Sequence, residues 1–348
     1  MILGALPVQI ESYELERLEL AVSSEFTRVT RVVRLRGGGE EGLGEDVTYE
    51  PREHEDPPPS GLSGRWSSLD ELSRRLGELP LFASPPAHEV YVGYRRWAYE
   101  SAALDLALRQ QGSSLAGALG LEPRPLTFVV SLRLPDPPTS EPVRRRLELD
   151  PGLRFKLDPT PAWEERLVAE LAATRAVDTV DLKGAYRGTA VDNPASARLY
   201  RLVAEGFPAA WIEDPDLADG EAAAVLEPHR ARITWDAPIH SVADIEALPF
   251  APRALNIKPS RFGSLRGLLE AYAYCRECEI AMYGGGQFEL GPGRGQIQYL
   301  ASLFHPDTPN DVAPVAFHSG ARPGLPSSPL APAHGVTGFR WGEAATES

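Results

Sequence analysis

Three lysines stand out in this chain because almost every other basic residue is arginine. The 35 basic side chains comprise 32 Arg and only Lys156, Lys183 and Lys258. Arginine stays charged at any usable pH, whereas a buried lysine exchanges its proton readily. A chain that uses Arg wherever charge suffices marks its few lysines as candidates for work that needs an amine. Three carboxylates keep them company: Asp181 in VDLKG, Glu213 in WIEDP and Asp236 in TWDAP, spaced 32 and 23 residues apart. Three hard oxygen donors with no His or Cys among them suit Mg²⁺, with Mn²⁺ as a substitute. A divalent cation that grips a carboxylate, with an amine beside it, is equipment for removing the proton α to that carboxylate. The plain alternative is a set of salt bridges along a rim of strand ends.

The elements that position these residues are short apolar strands separated by helical stripes. From about residue 127 the strands read LTFVVSL, RFKLD, VDTVDLKG, AAWIEDP, RITWDAP, ALNIKPS, EIAMYGGG and VAPVAFH. After RFKLD, Thr160 and Pro161 predict a helix start, and Trp163, Leu167, Val168 and Leu171 share a face. Leu265, Leu268, Leu269 and Tyr272 give a second stripe. Eight such units predict an α/β fold with a parallel barrel, whose active site forms at the C-terminal strand ends. Polar residues fall there with the period of two that one strand face requires: Arg154 and Lys156, Thr179, Asp181 and Lys183, Trp211 and Glu213, Thr234 and Asp236, Asn256 and Lys258. No strand–GxGxxG–helix unit supports a dinucleotide site, because the glycines at 284–286 and 291–295 precede no obvious helix. Before the barrel, residues 10–50 alternate as three antiparallel strands. Residues 50–64 read as a loop, and helices are predicted over about 69–78 and 93–112.

Composition excludes several classes. The 348 residues carry 49 acidic and 35 basic side chains, a net charge of −14, which disfavours nucleic acid and anionic membranes as partners. No apolar run is long enough to span a membrane, and the N-terminus makes a poor signal peptide. Cys275 and Cys278 form no disulfide framework, so a cytoplasmic setting is expected, and their C-x-x-C spacing lacks the second ligand pair that zinc needs. The run YGGGQFELGPGRGQ could bring backbone N–H groups, Gly285 and Gln287 to an anionic substrate. None of the seven histidines shows metal-ligand spacing, and a loop hydrogen bond is the expected role of His240.

Taken together, RFKLD, VDLKG, WIEDP, TWDAP and NIKPSRFG resemble the enolase superfamily in its muconate-lactonizing-enzyme-like branch. That branch contains muconate cycloisomerases, o-succinylbenzoate synthases and dipeptide epimerases. The resemblance implies a (β/α)7β barrel over residues 123–330 beneath an N-terminal α+β capping domain over 1–122, with a tail from about 331 packing back on the cap. It implies Mg²⁺ on Asp181, Glu213 and Asp236, and Lys156 and Lys258 as the catalytic pair facing each other across a small carboxylate substrate. It also implies a homo-oligomer, and Phe26, with Ser24 and Glu25, at the substrate-facing edge of the cap. Arg154, Lys183, Asn256, Gly285 and Gln287 complete the substrate-binding candidates. Three departures stand out: Lys183 where the family commonly has Asn, Ala237 where it has Glu, and Arg154 where Lys is commoner. The mandelate-racemase branch is less similar, since it uses a His on strand seven. Racemisation or epimerisation, cycloisomerisation and syn dehydration all remain open. So do a Schiff-base aldolase and a barrel that only binds ligand.

Overall fold

The computed structural model describes residues 3–22, 26–186, 191–332 and 336–341. Five strands occupy the N-terminal third: β1 (Val8–Ile10), β2 (Ser12–Ala21), β3 (Thr27–Gly37), β4 (Glu40–Asp46) and β5 (Gly64–Trp66). As the alternation predicts, β2, β3 and β4 form an antiparallel sheet, while β1 and β5 pair separately. Ser68 opens the helix Leu69–Glu78 by accepting a bond from Glu71 N (3.1 Å). The long helix Val90–Gln110 lies across the sheet with Trp97, Leu104 and Leu108 buried. Glycines in β4 permit that approach. A Cβ on Gly44 would stand 2.0 Å from Ala98 O, and one on Gly42 2.2 Å from Ala102 O.

The chain then alternates strand and helix. Strands β6 (Val130–Arg133), β7 (Phe155–Asp158), β8 (Val177–Asp181), β9 (Trp211–Glu213) and β10 (Ile233–Thr234) form one five-stranded parallel sheet in sequence order. Strands β11 (Ala254–Ile257) and β12 (Ala281–Gly284) form a parallel pair. Single parallel bridges extend these rows: Trp235 to Leu255, Gly285 to Asp311, and Asn310 to Phe128. Helices such as Glu165–Ala173, Ala197–Gly206, Leu265–Glu277 and Pro292–Phe304 fill the connections. They bury the predicted stripes, including Leu167, Val168, Leu171, Leu265, Leu268 and Tyr272. The strands pack Phe155, Leu157, Leu255 and Ile257 into the hydrophobic core. The alternate positions are buried too, but they are polar: Lys156, Thr179, Asp181 and Asn256.

Three local expectations change. The helix after β7 begins at Glu165, not at Pro161, and Thr160 O instead accepts from Trp163 N (2.9 Å). Residues 160–163 form a turn, and Glu164 takes the N-cap position in extended backbone. The segment VAPVAFH is no strand: Val315–Ser319 forms a 3₁₀ turn after Pro314, and the ladder contacts fall earlier, at Asn310 and Asp311. The glycine-rich run after β12 does enter a helix, because Pro292 fits its first turn. Beyond these, Phe339 meets Trp97 edge-on at 6.4 Å, and Arg340 pairs with buried Asp105 at 2.8 Å. No helix among the described residues is long and apolar enough to cross a membrane.

Candidate active site

Parallel pairing aligns the polar positions at the C-terminal strand ends. Asp181 of β8 lies opposite Glu213 of β9, and Asn256 of β11 lies opposite Tyr283 of β12. Asp236 follows β10 by two residues, and Lys258 directly follows β11. Asp181, Glu213 and Asp236 are fully buried, and none of the three could be tolerated there without partners.

The partners are chiefly the three lysines. Lys156 Nζ lies 3.0 Å from Asp181 Oδ2 and 3.4 Å from Asp311 Oδ2, and it donates to Glu213 Oε1. Lys183 Nζ donates to Asp181 Oδ2 and stands 3.7 Å from Asp158 Oδ1. Lys258 Nζ pairs with Asp236 Oδ2 at 2.8 Å, with Arg261 Nη2 3.4 Å from the same oxygen. Tyr283 OH donates to Glu213 Oε2 (2.5 Å), and Asn256 Nδ2 donates to that oxygen at 3.3 Å. Asp214 is spent on the backbone: its two oxygens accept from Asp236 N and Ala237 N, each at 2.8 Å, which fixes the turn after β10.

Electrostatics divides the carboxylates. Burial, reinforced by Asp181, Asp236 and Asp214, pushes Glu213 up to about 8 against the pull of Lys156. Burial and the charges of Asp236 and Asp181 push Asp214 up to about 7. For Asp236 burial again favours the neutral acid, but Arg261, Lys258 and Lys156 prevail and hold it at about 2. Burial favours the neutral amine of Lys258, yet Asp236, helped by Tyr186, holds its pKa above the ordinary lysine value.

This donor set fits a divalent cation. Asp181, Glu213 and Asp214 each offer an oxygen within 4.8 Å of the others. Asp236 lies outside that group, and its Oδ2 pairs with Lys258 and Arg261. Its Oδ1, like Asn256 Oδ1, is buried and has no hydrogen-bond partner among the described residues. Buried acceptors left without donors beside an all-oxygen cluster are what a hard cation such as Mg²⁺ satisfies.

The structure therefore brings together Lys156, Asp181, Lys183, Glu213, Asp236, Asn256 and Lys258. Gly285 joins them, since a Cβ there would stand 2.7 Å from Lys258 Cε. Gln287 is buried nearby, its amide oxygen accepting from Tyr94 OH (2.9 Å) and from Arg261 Nε (3.2 Å). Lys183 neutralises Asp181 and Asp158. Arg154 does not join the cluster. It precedes β7, at the end away from Asp158, and its guanidinium pairs with Asp178 and the Arg175 carbonyl. Phe26 is exposed at the start of β3, and Ser24 and Glu25 lie outside the described residues. His240 hydrogen-bonds the carbonyls of Ala237 (3.0 Å) and Arg261 (3.3 Å), and the two cysteines are free. Sequence reasoning missed Asp158, Arg261, Tyr283 and Asp311. The period of two marks Asp158, two residues beyond Lys156. Tyr283 carries the same signal, two residues before Gly285. Nothing local marks Arg261 or Asp311.

Residues 2–118 and 122–319 match the N-terminal and C-terminal domains of a family described as a domain of unknown function, DUF8230. An N-succinylamino acid racemase of Thermus thermophilus is 29% identical over 337 residues, covering 88% of this chain and 86% of the relative. An o-succinylbenzoate synthase of Enterococcus faecalis is 29% identical over 223 residues, covering 62% of this chain and 59% of the relative. Among solved structures, an enolase-superfamily member of unknown function from Enterococcus faecalis superposes with a TM-score of 0.68 at 21% identity, covering 95% of this chain and 93% of that one. A dipeptide epimerase from Methylococcus capsulatus, complexed with Mg ion, gives 0.67 at 22% identity, covering 90% and 92%. The chain belongs to the DUF8230 family; it is similar to these two curated relatives and shares the fold of these solved structures.

Proposed function

We propose that this chain removes the proton α to the carboxylate of an N-acyl amino acid, or a small acid or dipeptide of similar shape, and returns it to racemise or epimerise that centre. Asp181, Glu213 and Asp236 would hold Mg²⁺, with Asp214 fixing Asp236 through the backbone. When bound, Mg²⁺ would supply positive charge for the substrate carboxylate and for the charge that deprotonation places on it. Lys258, paired with Asp236, carries a proton to or from the α carbon, and Gly285 keeps its stem in place. Cycloisomerisation and syn dehydration use the same first step, with one amine stabilising charge instead of exchanging a proton. The racemase reading comes first because the N-succinylamino acid racemase relative matches over 86% of its length, against 59% for the o-succinylbenzoate synthase.

The observation that carries the proposal is Lys258 Nζ held 2.8 Å from a buried carboxylate whose other oxygen has no donor. The same reading closes the parallel strands into a (β/α)7β barrel over residues 123–330, supported by the bridges at Trp235, Gly285 and Asn310. Residues 1–122 would form the cap, with the contacts of Phe339 and Arg340 supporting a tail that returns to it. A cytoplasmic homo-oligomer completes the reading.

A mass-spectrometric screen in D₂O with Mg²⁺ tests it, using pooled N-acyl amino acids, dipeptides and cycloisomerase substrates. The expected result is deuterium gained at the α carbon and lost on adding EDTA. EDTA-insensitive turnover with borohydride trapping of a carbonyl substrate would replace the proposal with Schiff-base chemistry.

A further inference from the structure

We infer that a cleft between three helices, sharing no residue with the carboxylate cluster, binds a small organic cation with an apolar body. The cleft has a volume of about 330 Å³ and lies between the helices Leu69–Glu78, Val90–Gln110 and Leu265–Glu277. None of the lysines or carboxylates gathered at the strand ends lines it, so the inference is independent of the proton-transfer reading. An apolar cavity of about 150 Å³ holds one benzene ring, so a ligand of roughly ten non-hydrogen atoms fits this one.

The walls are apolar. Leu72, Ala103 and Leu265 are buried and Leu269 is half-buried, and all four line the cleft. A ring or short alkyl chain placed there would remove apolar surface from water. Glu100, only 6% exposed, adds a charge to this lining. Its Oε1 accepts from Ser73 Oγ (2.6 Å) and Arg96 Nε (2.9 Å). Among the described residues its Oε2 accepts only from Leu265 N (2.8 Å), the first residue of the third helix. A carboxylate has about four acceptor positions, so Oε2 keeps one for a ligand, and a charged N–H makes the stronger bond to it.

The balance of charge selects the sign of the ligand. At the rim, Asp70 and Glu270 stand with a single cation, Arg266, whose Nη2 is 3.3 Å from Asp70 Oδ2. Arg96, which is not part of the lining, offsets Glu100. Three carboxylates thus meet two guanidinium groups, and one positive charge completes the site. An anion would add to the excess, and a neutral molecule would leave it in place. The chemistry is that of a protonated amine carried on one ring or a short chain.

Ligand-observed NMR titration of the full chain tests this with 2-phenylethylamine, using phenylacetate and 2-phenylethanol as matched anionic and neutral probes. The expected result is saturable binding of the amine at about 1 mM, at least ten-fold tighter than phenylacetate and three-fold tighter than the alcohol. No saturation by the amine below about 10 mM, or equal binding of all three probes, overturns the inference. Because the net charge of −14 attracts any cation weakly, two variants localise the binding. Ala273 is exposed at the edge of the cleft, so Ala273→Trp should fill it, weaken amine binding at least ten-fold and leave the melting temperature near the wild-type value. Glu270→Arg should weaken the amine by a similar factor and remove its advantage over phenylacetate. Undiminished amine binding in both variants means that the cation only gathers on the acidic surface, which overturns the inference. A changed sedimentation mass in Ala273→Trp would make the cleft a contact between copies of the chain and overturn it equally.

Discussion

Gly285 lies against Lys258 so closely that a Cβ on residue 285 would stand 2.7 Å from Lys258 Cε and 2.5 Å from Asn256 Oδ1. Both neighbours belong to the proposed proton-transfer site, so the glycine keeps space for a lysine stem that must point at the substrate. Gly285→Ala should lower α-proton exchange by about 100-fold through displacement of the amine, since small errors of position are expensive in catalysis. The melting temperature should change little. Activity within a few-fold of wild type would show that Lys258 does not depend on this packing.

Arg28 ties the N-terminal sheet to the loop that carries Gln287. Fully buried, it donates to the carbonyls of Val47 (2.7 Å), Thr48 (2.8 Å), Gln287 (2.8 Å) and Phe288 (3.1 Å). Glu45 does the complementary work, accepting from the backbone N–H groups of Leu290, Gly291 and Gly293. Arg28→Met leaves four carbonyls without that donor and should destabilise the fold by roughly 2–4 kcal/mol in urea unfolding. Arg28→Lys should recover only part of it, because an ammonium does not reproduce the planar fork.

Metal binding should appear as stability. Mg²⁺ in millimolar excess should raise the melting temperature, and EDTA should reverse the shift, by mass action on the folded state. Asp236→Asn should weaken the Mg²⁺ effect at least ten-fold in calorimetric titration. An equal effect in this variant would leave Asp181, Glu213 and Asp214 as the ligands, the group whose oxygens already lie within 4.8 Å.

Acid should unfold the protein partly through His305. The ring is buried, hydrogen-bonded to Asn310 Oδ1 (2.7 Å), and burial lowers its pKa to about 4. The unfolded chain, with an ordinary histidine near 6.5, binds the proton more readily. Stability is therefore complete above pH 6.5 and declines as pH falls toward 4, by roughly 3 kcal/mol for this group alone. His305→Gln should flatten that part of the profile in melting temperature against pH.

Much of the site was legible because strand geometry is strict. Lys156, Asp181, Glu213, Asp236, Asn256 and Lys258 fall on one face by the period of two, and the structure gathers them. The same rule read too far at Arg154, which shares the face but lies at the opposite strand end and pairs with Asp178. VAPVAFH looked like a strand from its apolar content, yet Pro314 withholds an N–H and the ladder contacts fall at Asn310 and Asp311. Arg261 and Asp311 reach the cluster through a turn and a loop, where no period marks orientation. The pairing of Lys183 with Asp158 crosses two strands, so only register reveals it.

The central claim is that Lys258 moves a substrate α proton. Comparing wild type with Lys258→Ala in D₂O, with saturating Mg²⁺ and an acid that the wild type turns over, tests it most directly. The account predicts deuterium at the α carbon of recovered wild-type product, at least a 1,000-fold loss of turnover in the variant, and Mg²⁺ binding within a few-fold of normal. Undiminished turnover in Lys258→Ala would contradict it.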